Sequence, residues 1–307
     1  MSIVANPYRC CFCESVRVRK SHSGVYHPFV KSHGPFDFYI CEDCGSGLTL
    51  PPPAPEVLLN LYQSFESGMP EFHREIMQDT PQTALYSRCI RSIARFGKLT
   101  PNTRFIWLDV GAGGGELSDE MLRKYPLSHG IGVDLHEPPD LLIQHLVNKA
   151  GRFSWVRANI NDADFIEKAK LHADVVISTA VWEHVIAPDI FIKNLISAMG
   201  PGGLLYLMCP DYGSLARRVM KTKWHYFSPG EHLNVPTRKG ARICIERAWA
   251  KLNASPAKSI ISRPLLLPYT IRYTLKRFGM NSLGRLVPAS WFLPLPAGAL
   301  EAVLVAE

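Results

Sequence analysis

The 307-residue chain lacks several features that would assign it to a broad class of protein. No run reaches the roughly 18 apolar residues that a membrane span requires. The N-terminus has no basic segment followed by an apolar one, so we expect no secretory signal and a cytoplasmic protein. Charged residues make up only 20% of the chain and hydrophobic residues 47%, which excludes a mainly disordered polypeptide.

Acidic residues are scarce in the last third of the chain. Residues 1–213 hold 19 Lys and Arg against 23 Asp and Glu, whereas residues 214–307 hold 15 against 4. The formal net charge of +7 therefore comes entirely from the C-terminal part. This asymmetry predicts an anionic partner there, such as a phosphate group, a nucleic acid or a membrane surface. A solvated basic face that only aids solubility is the alternative.

The pattern of turn residues and apolar runs divides the chain into three parts. Residues 1–50 contain two pairs of cysteines and few long apolar runs. Residues 51–101 begin with a stiff proline-rich spacer and continue as two helices, Ala54–Gln78 and Gln82–Leu99. In residues 102–307 short apolar runs alternate with helical segments, which predicts a catalytic domain built from βαβ units.

The third part predicts a doubly wound α/β fold with a mostly parallel, Rossmann-like sheet of seven strands. The predicted strands are Arg104–Val110, Gly130–Asp134, Phe153–Arg157, Ala173–Ser178, Gly203–Cys209, Ala257–Ser262 and Leu300–Ala306. The predicted helices are Glu116–Lys124, Pro139–Lys149, Ala163–Lys170, Asp189–Met199, Ser214–Lys221 and Thr237–Lys251. Apolar and basic positions mix in Leu265–Phe278, which predicts a further helix, either in the core or on an anionic membrane surface.

Four cysteines form two C-x-x-C pairs near the N-terminus, Cys10 with Cys13 and Cys41 with Cys44. Two intervening residues let both thiolates of a pair face one ion, so the pairs supply the four sulfurs of a tetrahedral zinc site. Four protein ligands predict a structural zinc in a ribbon-like segment that has little core of its own. Reduced thiols in a small core are the alternative. Other candidate ligands are Cys11, His22, His27 and His33.

A strand, a glycine-rich turn and the start of a helix follow one another at residues 105–116. Glycines permit positive φ and close approach of a ligand, and the helix N-terminus offers free N–H groups. Asp134 closes the next strand, where a carboxylate can accept hydrogen bonds from two ribose hydroxyls. The spacing is G-x-G-x-G, and Asp109 at the end of the first strand would oppose a pyrophosphate. Both features favour a sulfonium cofactor over a dinucleotide.

These motifs resemble the class I S-adenosylmethionine-dependent methyltransferases. The family pattern of a hydrophobic strand, an acid and G-x-G-x-G is matched by Asp109, Gly111, Gly113 and Gly115. The segment 199–205 is similar to the turn before the fifth strand of that fold. The resemblance covers roughly residues 82–307. It implies that Asp109 and the glycine turn face the amino-acid end of S-adenosylmethionine.

The same resemblance assigns the rest of the cofactor site. It implies that Asp134 holds the ribose and that Asn159 or Asp162 reaches the adenine. These positions follow the second and third strands of the predicted core, at the edge where such folds bind their ligands.

The layout of a cysteine-pair ribbon, a proline-rich spacer and this core is similar to bacterial methyltransferases that act on sugars and related metabolites. The segment 224–233 resembles the stretch after their fifth strand. In the sugar C-methyltransferases with such a ribbon, matching residues line the acceptor pocket, which implies this role for His184, Glu231 and His232. Pro229-Gly230 stands where those enzymes carry a tyrosine, and they have a further C-terminal domain; both departures favour O-methylation of a hydroxyl.

Methyl transfer to a sugar hydroxyl needs an aligned acceptor and a group that takes its proton, because the hydroxyl is a poor nucleophile near neutral pH. Histidine suits this task. His232 beside Glu231 is the first candidate base, His184 the second and His225 the third, and each has a purely structural role as the alternative. An apolar wall for the sugar ring is predicted from Trp182, Trp224 and Tyr226.

Basic residues flank this candidate acceptor pocket within the region 211–280. They are Arg217, Arg218, Lys221, Lys223, Arg238, Lys239 and Arg242. Such residues suit a phosphate-bearing acceptor, for example a nucleotide-linked or lipid-linked sugar. We therefore predict methyl transfer from S-adenosylmethionine to a hydroxyl of a sugar or related small molecule. The alternatives are an RNA methyltransferase, a sugar C-methyltransferase and a binding module that has lost catalysis.

Overall fold

The computed structural model describes residues 8–26, 34–58, 60, 82–136, 151–159, 162, 165–166, 172–253, 255–272, 275, 280–288 and 291–307. The predicted helix at 139–149 and most of those at 54–78 and 163–170 lie outside these residues. In chain order the strands are β1 (Val18–Val25), β2 (Phe36–Cys41), β3 (Gly47–Thr49), β4 (Ile106–Val110), β5 (His129–Asp134), β6 (Phe153–Arg157), β7 (Ala173–Thr179), β8 (Met199–Pro210), β9 (Asn234–Val235), β10 (Ser259–Thr270) and β11 (Phe292–Val305).

Six α-helices accompany these strands in the described part of the chain. They are α1 (Gln82–Gly97), α2 (Glu116–Lys124), α3 (Pro188–Ser197), α4 (Leu215–Met220), α5 (Arg238–Leu252) and α6 (Asn281–Leu286). Short 3₁₀ turns occupy Trp182–His184 and Lys221–Lys223. None of the described helices combines the length and apolar character needed to cross a membrane.

Seven strands form one sheet in the order β10-β11-β8-β7-β4-β5-β6. The five strands from β8 to β6 pair in parallel, and β11 pairs antiparallel with both β8 and β10. This confirms the predicted α/β fold with a mostly parallel seven-stranded sheet. Strand β4 lies between β5 and β7, so the chain first extends the sheet on one side and then returns to the other. The carboxyl ends of β4 and β7 therefore flank a topological switch point, where such sheets bind ligands.

Successive residues of the central strands point to opposite faces, and each face has its own core. Leu108 and Val176 pack with apolar residues of α3 and α5 on one face. Trp107 and Val175 pack with those of α1 and α2 on the other. Because the sheet is covered on both faces, its strands are continuous apolar runs, and this is why their positions could be predicted within a few residues.

The predicted helix over Leu265–Phe278 is wrong for its first half. Residues up to Thr270 belong to β10, which pairs with β11 along nearly its whole length. Leu265 and Leu267 are buried while Leu266 is 43% exposed, an alternation with the period of a strand. Pro268 is compatible with this position because β10 is the edge strand, where a missing N–H removes no bond to a further neighbour.

A second sheet joins the N-terminal segment to the rest of the protein. Its four strands follow the order β1-β2-β3-β9 and all pair antiparallel. Strand β9 comes after the last parallel strand of the large sheet and pairs Leu48 with Asn234. The cysteine-containing segment is thus completed by residues almost two hundred positions further along the chain.

Candidate active site

The glycine-rich turn follows β4 and bends back onto β7. Gly111, Gly113 and Gly115 have φ angles of 76°, 52° and 75°, a left-handed backbone that favours glycine. A Cβ on Gly111 would lie 2.2 Å from Val181, whereas one on Gly113 would meet nothing within 4 Å. The Gly113 amide donates a 2.9 Å hydrogen bond to Asp134. The turn is therefore packed on one side and open at Gly113, the side a ligand can approach.

Asp109 lies beneath the turn and has an unfilled acceptor. Its side chain is buried, and Oδ2 accepts a 2.8 Å hydrogen bond from Ser118. Oδ1 has no hydrogen-bond partner among the described residues. Burial raises the pKa of Asp109 to about 7, and the charges of Asp134 and Glu116 add to this effect. A bound cationic group would satisfy this carboxyl, so the site fits the amino-acid end of a sulfonium cofactor.

A cavity of about 490 Å³ opens where β5 and β6 end. It is lined by Leu135, Val156, Arg157, Ala158, Asn159, Asp162 and Phe165. Asn159 and Asp162, the two alternatives predicted to reach an adenine, both line this mixed apolar and polar cleft. Leu135, which lines this cleft, directly follows Asp134, the residue predicted to hold the ribose.

Three side chains meet beyond the carboxyl ends of β7 and β8. Glu183 and His184 belong to the 3₁₀ turn after β7, and His232 belongs to the loop before β9. One ligand atom from each lies within 4.8 Å of the others, and the two imidazole rings have their centroids 4.8 Å apart. The Leu233 amide donates a 2.7 Å hydrogen bond to the Glu183 carbonyl, which fixes the loop against the turn. We call these three residues the histidine cluster.

The proton positions in the histidine cluster follow from its hydrogen bonds. His232 Nδ1 lies 2.8 Å from the carbonyl oxygen of Tyr226, and a carbonyl can only accept. Nδ1 therefore carries the proton, and Nε2 carries the lone pair in the neutral ring. Glu183 is buried with Oε2 unpartnered among the described residues, and burial raises its pKa to about 8, aided by the charge of Glu231.

The other predicted acceptor residues lie in the loop that carries His232, except Trp182 in the 3₁₀ turn, and they contact other groups. Glu231 accepts a 2.8 Å hydrogen bond from Ser228. His225 Nε2 lies 3.3 Å from the Tyr269 hydroxyl. Trp182 and Trp224 are each 1% exposed and so belong to the core, whereas the Tyr226 ring lies 6.2 Å from that of His232. Of the three residues predicted to form an apolar wall, only Tyr226 is half-buried beside the histidine cluster.

The four predicted metal ligands lie together at the base of the second sheet. Sγ of Cys10 is 3.6 Å from that of Cys44, and Sγ of Cys13 is 3.5 Å from that of Cys41. All four sulfurs lie within 4.8 Å of one another. A zinc tetrahedron with bonds of about 2.3 Å has edges of about 3.8 Å, so the arrangement fits a structural zinc ion.

The alternative ligands do not join this group. Cys11 Sγ donates instead to the Asn234 side chain at 3.2 Å. His22 packs its ring 5.4 Å from that of Phe227. His27 and His33 lie outside the described residues.

The N-terminal segment contacts the elements that carry the histidine cluster. Phe12, between the first two cysteines of the tetrad, stacks edge-on against Trp182 with ring centroids 5.6 Å apart. The Thr49 hydroxyl donates a 3.1 Å hydrogen bond to the His232 carbonyl, and its amide donates one of 2.8 Å to Leu233. The ribbon thus supports both the 3₁₀ turn and the loop.

Sequence reasoning missed two residues of this site. Glu183 precedes a predicted base, yet nothing in the sequence distinguishes a buried carboxyl from an exposed one at that position. Ser118 carries no signal at all, because its bond to Asp109 depends on the orientation of α2 against β4.

A glycine turn at the switch point of a doubly wound sheet, above a buried acid, is typical of the class I S-adenosylmethionine-dependent methyltransferases. The comparison of sequences agrees. A family model described as a methyltransferase domain matches residues 82–248, more than half of the chain. The protein therefore belongs to the methyltransferase domain family.

Individual relatives match more weakly. A ubiquinone biosynthesis O-methyltransferase from Shewanella sp. (strain ANA-3) is 31% identical over 99 residues, which cover 32% of this chain and 41% of that protein. The chain thus spans less than half the length of this curated relative.

Solved structures share the fold at low identity. A plantazolicin methyltransferase in complex with a triazolic desmethylPZN analog and SAH superposes with a TM-score of 0.52 at 13% identity, over 82% of this chain and 91% of that one. The Burkholderia thailandensis 1,6-didemethyltoxoflavin-N1-methyltransferase, with its substrate and S-adenosylhomocysteine, gives 0.51 at 13% identity, over 86% and 97%.

Proposed function

We propose that the protein transfers a methyl group from S-adenosylmethionine to a hydroxyl of a sugar or related small molecule that bears phosphate. The observation that carries this proposal is the histidine cluster, which opposes the cofactor turn across the switch point. Val181 contacts Gly111, and the cluster begins two residues later with Glu183. The O-methyltransferase among the relatives supports oxygen as the acceptor atom.

The cofactor site consists of this chain's own polar groups around the glycine turn. Asp109 would hold the cationic amino-acid end, Asp134 the ribose, and Asn159 with Asp162 the adenine. S-adenosylmethionine supplies an already activated methyl group, so the protein needs to align the acceptor and remove its proton.

His232 is proposed as the proton acceptor. Its Nδ1 proton is held by the Tyr226 carbonyl, which leaves Nε2 to take the proton of the acceptor hydroxyl. The resulting imidazolium would be stabilised by Glu183, because a positive charge nearby favours the ionised form of a buried carboxyl. Glu183 Oε1 lies 3.9 Å from His184 Nε2, so His184 belongs to the same electrostatic unit.

Zinc is proposed as a structural cofactor of the cysteine tetrad. Its four ligands would all come from the protein, which leaves no coordination position for a substrate. The contacts of Phe12 and Thr49 with the acceptor side support a role in holding that side in place.

The test uses zinc-loaded protein, isothermal titration with S-adenosylmethionine, and an assay of S-adenosylhomocysteine formation with a set of nucleoside diphosphate sugars. We expect the wild type to bind the cofactor and turn over. We expect His232→Ala to lower kcat by about 10²–10⁴-fold, the usual contribution of a general base, with cofactor affinity kept. The matched control is His172→Ala, an exposed histidine before β7 at the opposite edge of the sheet.

Two results would contradict the proposal. Absence of cofactor binding by the wild type would remove the methyltransferase activity altogether. Equal turnover by His232→Ala and wild type would remove His232 from proton transfer while leaving the activity in place.

A further inference from the structure

We infer that a cavity between the ribbon and the end of β8 binds the diphosphate group of the acceptor, and that the ribbon supplies one of its arginines. The inference rests on the proposed function in taking the ligand to be the methyl acceptor. Binding of the anion itself depends only on the cavity.

The cavity measures about 490 Å³, a volume typical of small-molecule sites. It is lined by Arg19, Ile40, Cys44, Gly45, Asp211, Tyr212, Gly213, Arg217, Arg218, Thr237, Arg238 and Lys239. These residues come from the second sheet and the turn after β2, from the segment after β8 and α4, and from the start of α5. Neither the ribbon nor the catalytic core forms the cavity alone.

The charge of the lining is strongly positive. Five of the lining residues are cationic and one, Asp211, is acidic. Asp211 is 2% exposed, lies 3.2 Å from Arg238 and accepts a 2.8 Å hydrogen bond from the Gly213 amide, so its charge is already compensated. Arg217 and Arg218 have no carboxylate within ion-pairing distance among the described residues. An anionic ligand would supply the missing partner.

Arg217 is held in a fixed orientation. Its guanidinium lies 3.9 Å from the centroid of the Tyr212 ring and also donates to the Tyr212 hydroxyl. Tyr212 is itself buried. A guanidinium fixed by stacking loses little conformational freedom when it binds a phosphate, and its planar fork matches two phosphate oxygens.

The ribbon contributes Arg19 from β1. This side chain is exposed, and among the described residues it forms an ion pair only with the exposed Glu42, at 3.6 Å. Exposed pairs of this kind are worth little, so Arg19 can turn to a ligand at low cost. Its charge acts on Tyr212 together with that of Arg217, and both lower the pKa of this phenol against the rise that burial causes.

The start of α5 adds a second kind of anion recognition. Thr237 caps this 15-residue helix by accepting a 3.0 Å hydrogen bond from the Gly240 amide. Thr237, Arg238 and Lys239 all line the cavity, so the partial positive charge of the helix N-terminus faces the same space as the arginines.

The cavity and the histidine cluster flank one row of aromatic rings. Ring centroids of Tyr212 and Trp224 are 6.4 Å apart, those of Trp224 and Tyr226 are 5.3 Å apart, and those of Tyr226 and His232 are 6.2 Å apart. An acceptor whose diphosphate lies near Tyr212 and whose hydroxyl lies near His232 would be an elongated molecule.

The first experiment is titration of the full-length, zinc-loaded protein with inorganic pyrophosphate. We expect saturable binding by the wild type, and at least a tenfold loss of affinity in Arg19→Ala and in Arg217→Ala. The matched control is Arg123→Ala, an exposed arginine on α2 that pairs with Glu120 outside the cavity. We expect it to bind pyrophosphate as the wild type does, and all variants to keep their affinity for S-adenosylmethionine.

The second experiment identifies the source of the diphosphate. A nucleoside diphosphate sugar, or phosphatidylcholine vesicles that contain a lipid-linked diphosphate sugar, should displace pyrophosphate from the wild type. The more effective of the two competitors identifies the class of acceptor. The inference is overturned if the wild type does not bind pyrophosphate, if Arg19→Ala and Arg217→Ala bind it unchanged, or if neither competitor displaces it. None of these results affects cofactor binding, so failure of the proposed methyl transfer remains distinguishable.

Discussion

Two buried acids mark the site at the scale of single residues. Asp109 lies near the end of β4 and Glu183 follows the neighbouring strand β7. Both are about 1% exposed, and each has an oxygen without a partner among the described residues. A buried carboxyl in this state is held by its surroundings and destabilises the protein when it ionises. Such residues are retained where a ligand or a proton transfer uses them.

The ionisation of Asp109 gives a pH-dependent prediction. Burial raises its pKa from the ordinary value of 3.8 to about 7 in the ligand-free protein. Between these values the unfolded chain has lost the proton while the folded protein keeps it, so this residue's contribution to stability falls as pH rises and is constant above about 7. We expect Asp109→Asn to become progressively more stable relative to wild type from about pH 4 to about pH 7, by up to about 1.4 kcal/mol per pH unit, and to gain no more above pH 7.

Urea unfolding of the ligand-free proteins across this range measures the difference. Asp119→Asn, on the same helix as Ser118, is the matched control and should show no such trend, because it lies near the surface. A constant difference between Asp109→Asn and wild type at every pH would mean that Asp109 stays ionised in the folded protein.

The left-handed conformation of the glycine turn could be predicted from the sequence, whereas the partners of the buried acids could not. The spacing of Asp109 and the glycines is local, and local patterns survive in any packing arrangement. The bond from Ser118 and the meeting of Glu183 with His232 depend on how distant segments pack, which short-range patterns do not encode.

At the scale of elements, the glycine turn has one position that packs against the protein and another that is open to a ligand. Gly111 is in contact with Val181, while Gly113 faces open space, although both have positive φ. We expect Gly111→Ala to destabilise the protein by more than about 2 kcal/mol, because the strain of a left-handed alanine adds to a steric clash. We expect Gly113→Ala to cost only about 1 kcal/mol, from backbone strain alone, but to abolish binding of S-adenosylmethionine.

Denaturation and calorimetric titration of both variants test this separation. Gly151→Ala is the matched control, since Gly151 has φ of +66° and also meets nothing within 4 Å, but lies in the turn before β6. It should lose about as much stability as Gly113→Ala and keep its affinity for the cofactor. Intact cofactor affinity in Gly113→Ala would show that the ligand does not approach this face of the turn.

The accuracy of the element predictions followed the burial of each element. Buried parallel strands such as Ala173–Thr179 were predicted to within one residue, because both of their faces are largely buried. The strand at Ser259–Thr270 was missed over half its length, since an edge strand with two prolines and alternating exposure has the same composition as an amphipathic helix. Strand β9, only two residues long, has no pattern that a sequence could show.

At the scale of the whole molecule, the ribbon and the catalytic core share the second sheet and together line one cavity. Thr49 is bonded to the loop that carries His232, and Phe12 packs on Trp182. A change in the ribbon should therefore reach the acceptor side before the cofactor side, since Asp109 and the glycine turn have their packing partners in the core.

Removal of zinc tests this coupling. We expect one zinc per chain, and on chelation a lower Tm, a loss of methyl transfer, and retention of most of the affinity for S-adenosylmethionine. Cys41→Ser should behave like the chelated protein. Cys11→Ser is the matched control and should keep its zinc, because Cys11 bonds to Asn234 outside the tetrad. Full activity in zinc-free protein would show that the tetrad does not support the acceptor side.

The pairing of Leu48 with Asn234 also sets an order of events during synthesis. All four cysteine ligands have been synthesised once the chain reaches residue 44. Asn234 of β9, which completes their sheet, is synthesised 186 residues after its partner Leu48. At about 5–20 residues per second, the gap lasts roughly 10–40 s. During that interval one edge of β3 stays unpaired, and the proposed zinc ion, if bound by the nascent ribbon, would stabilise this segment before the rest of its sheet is synthesised.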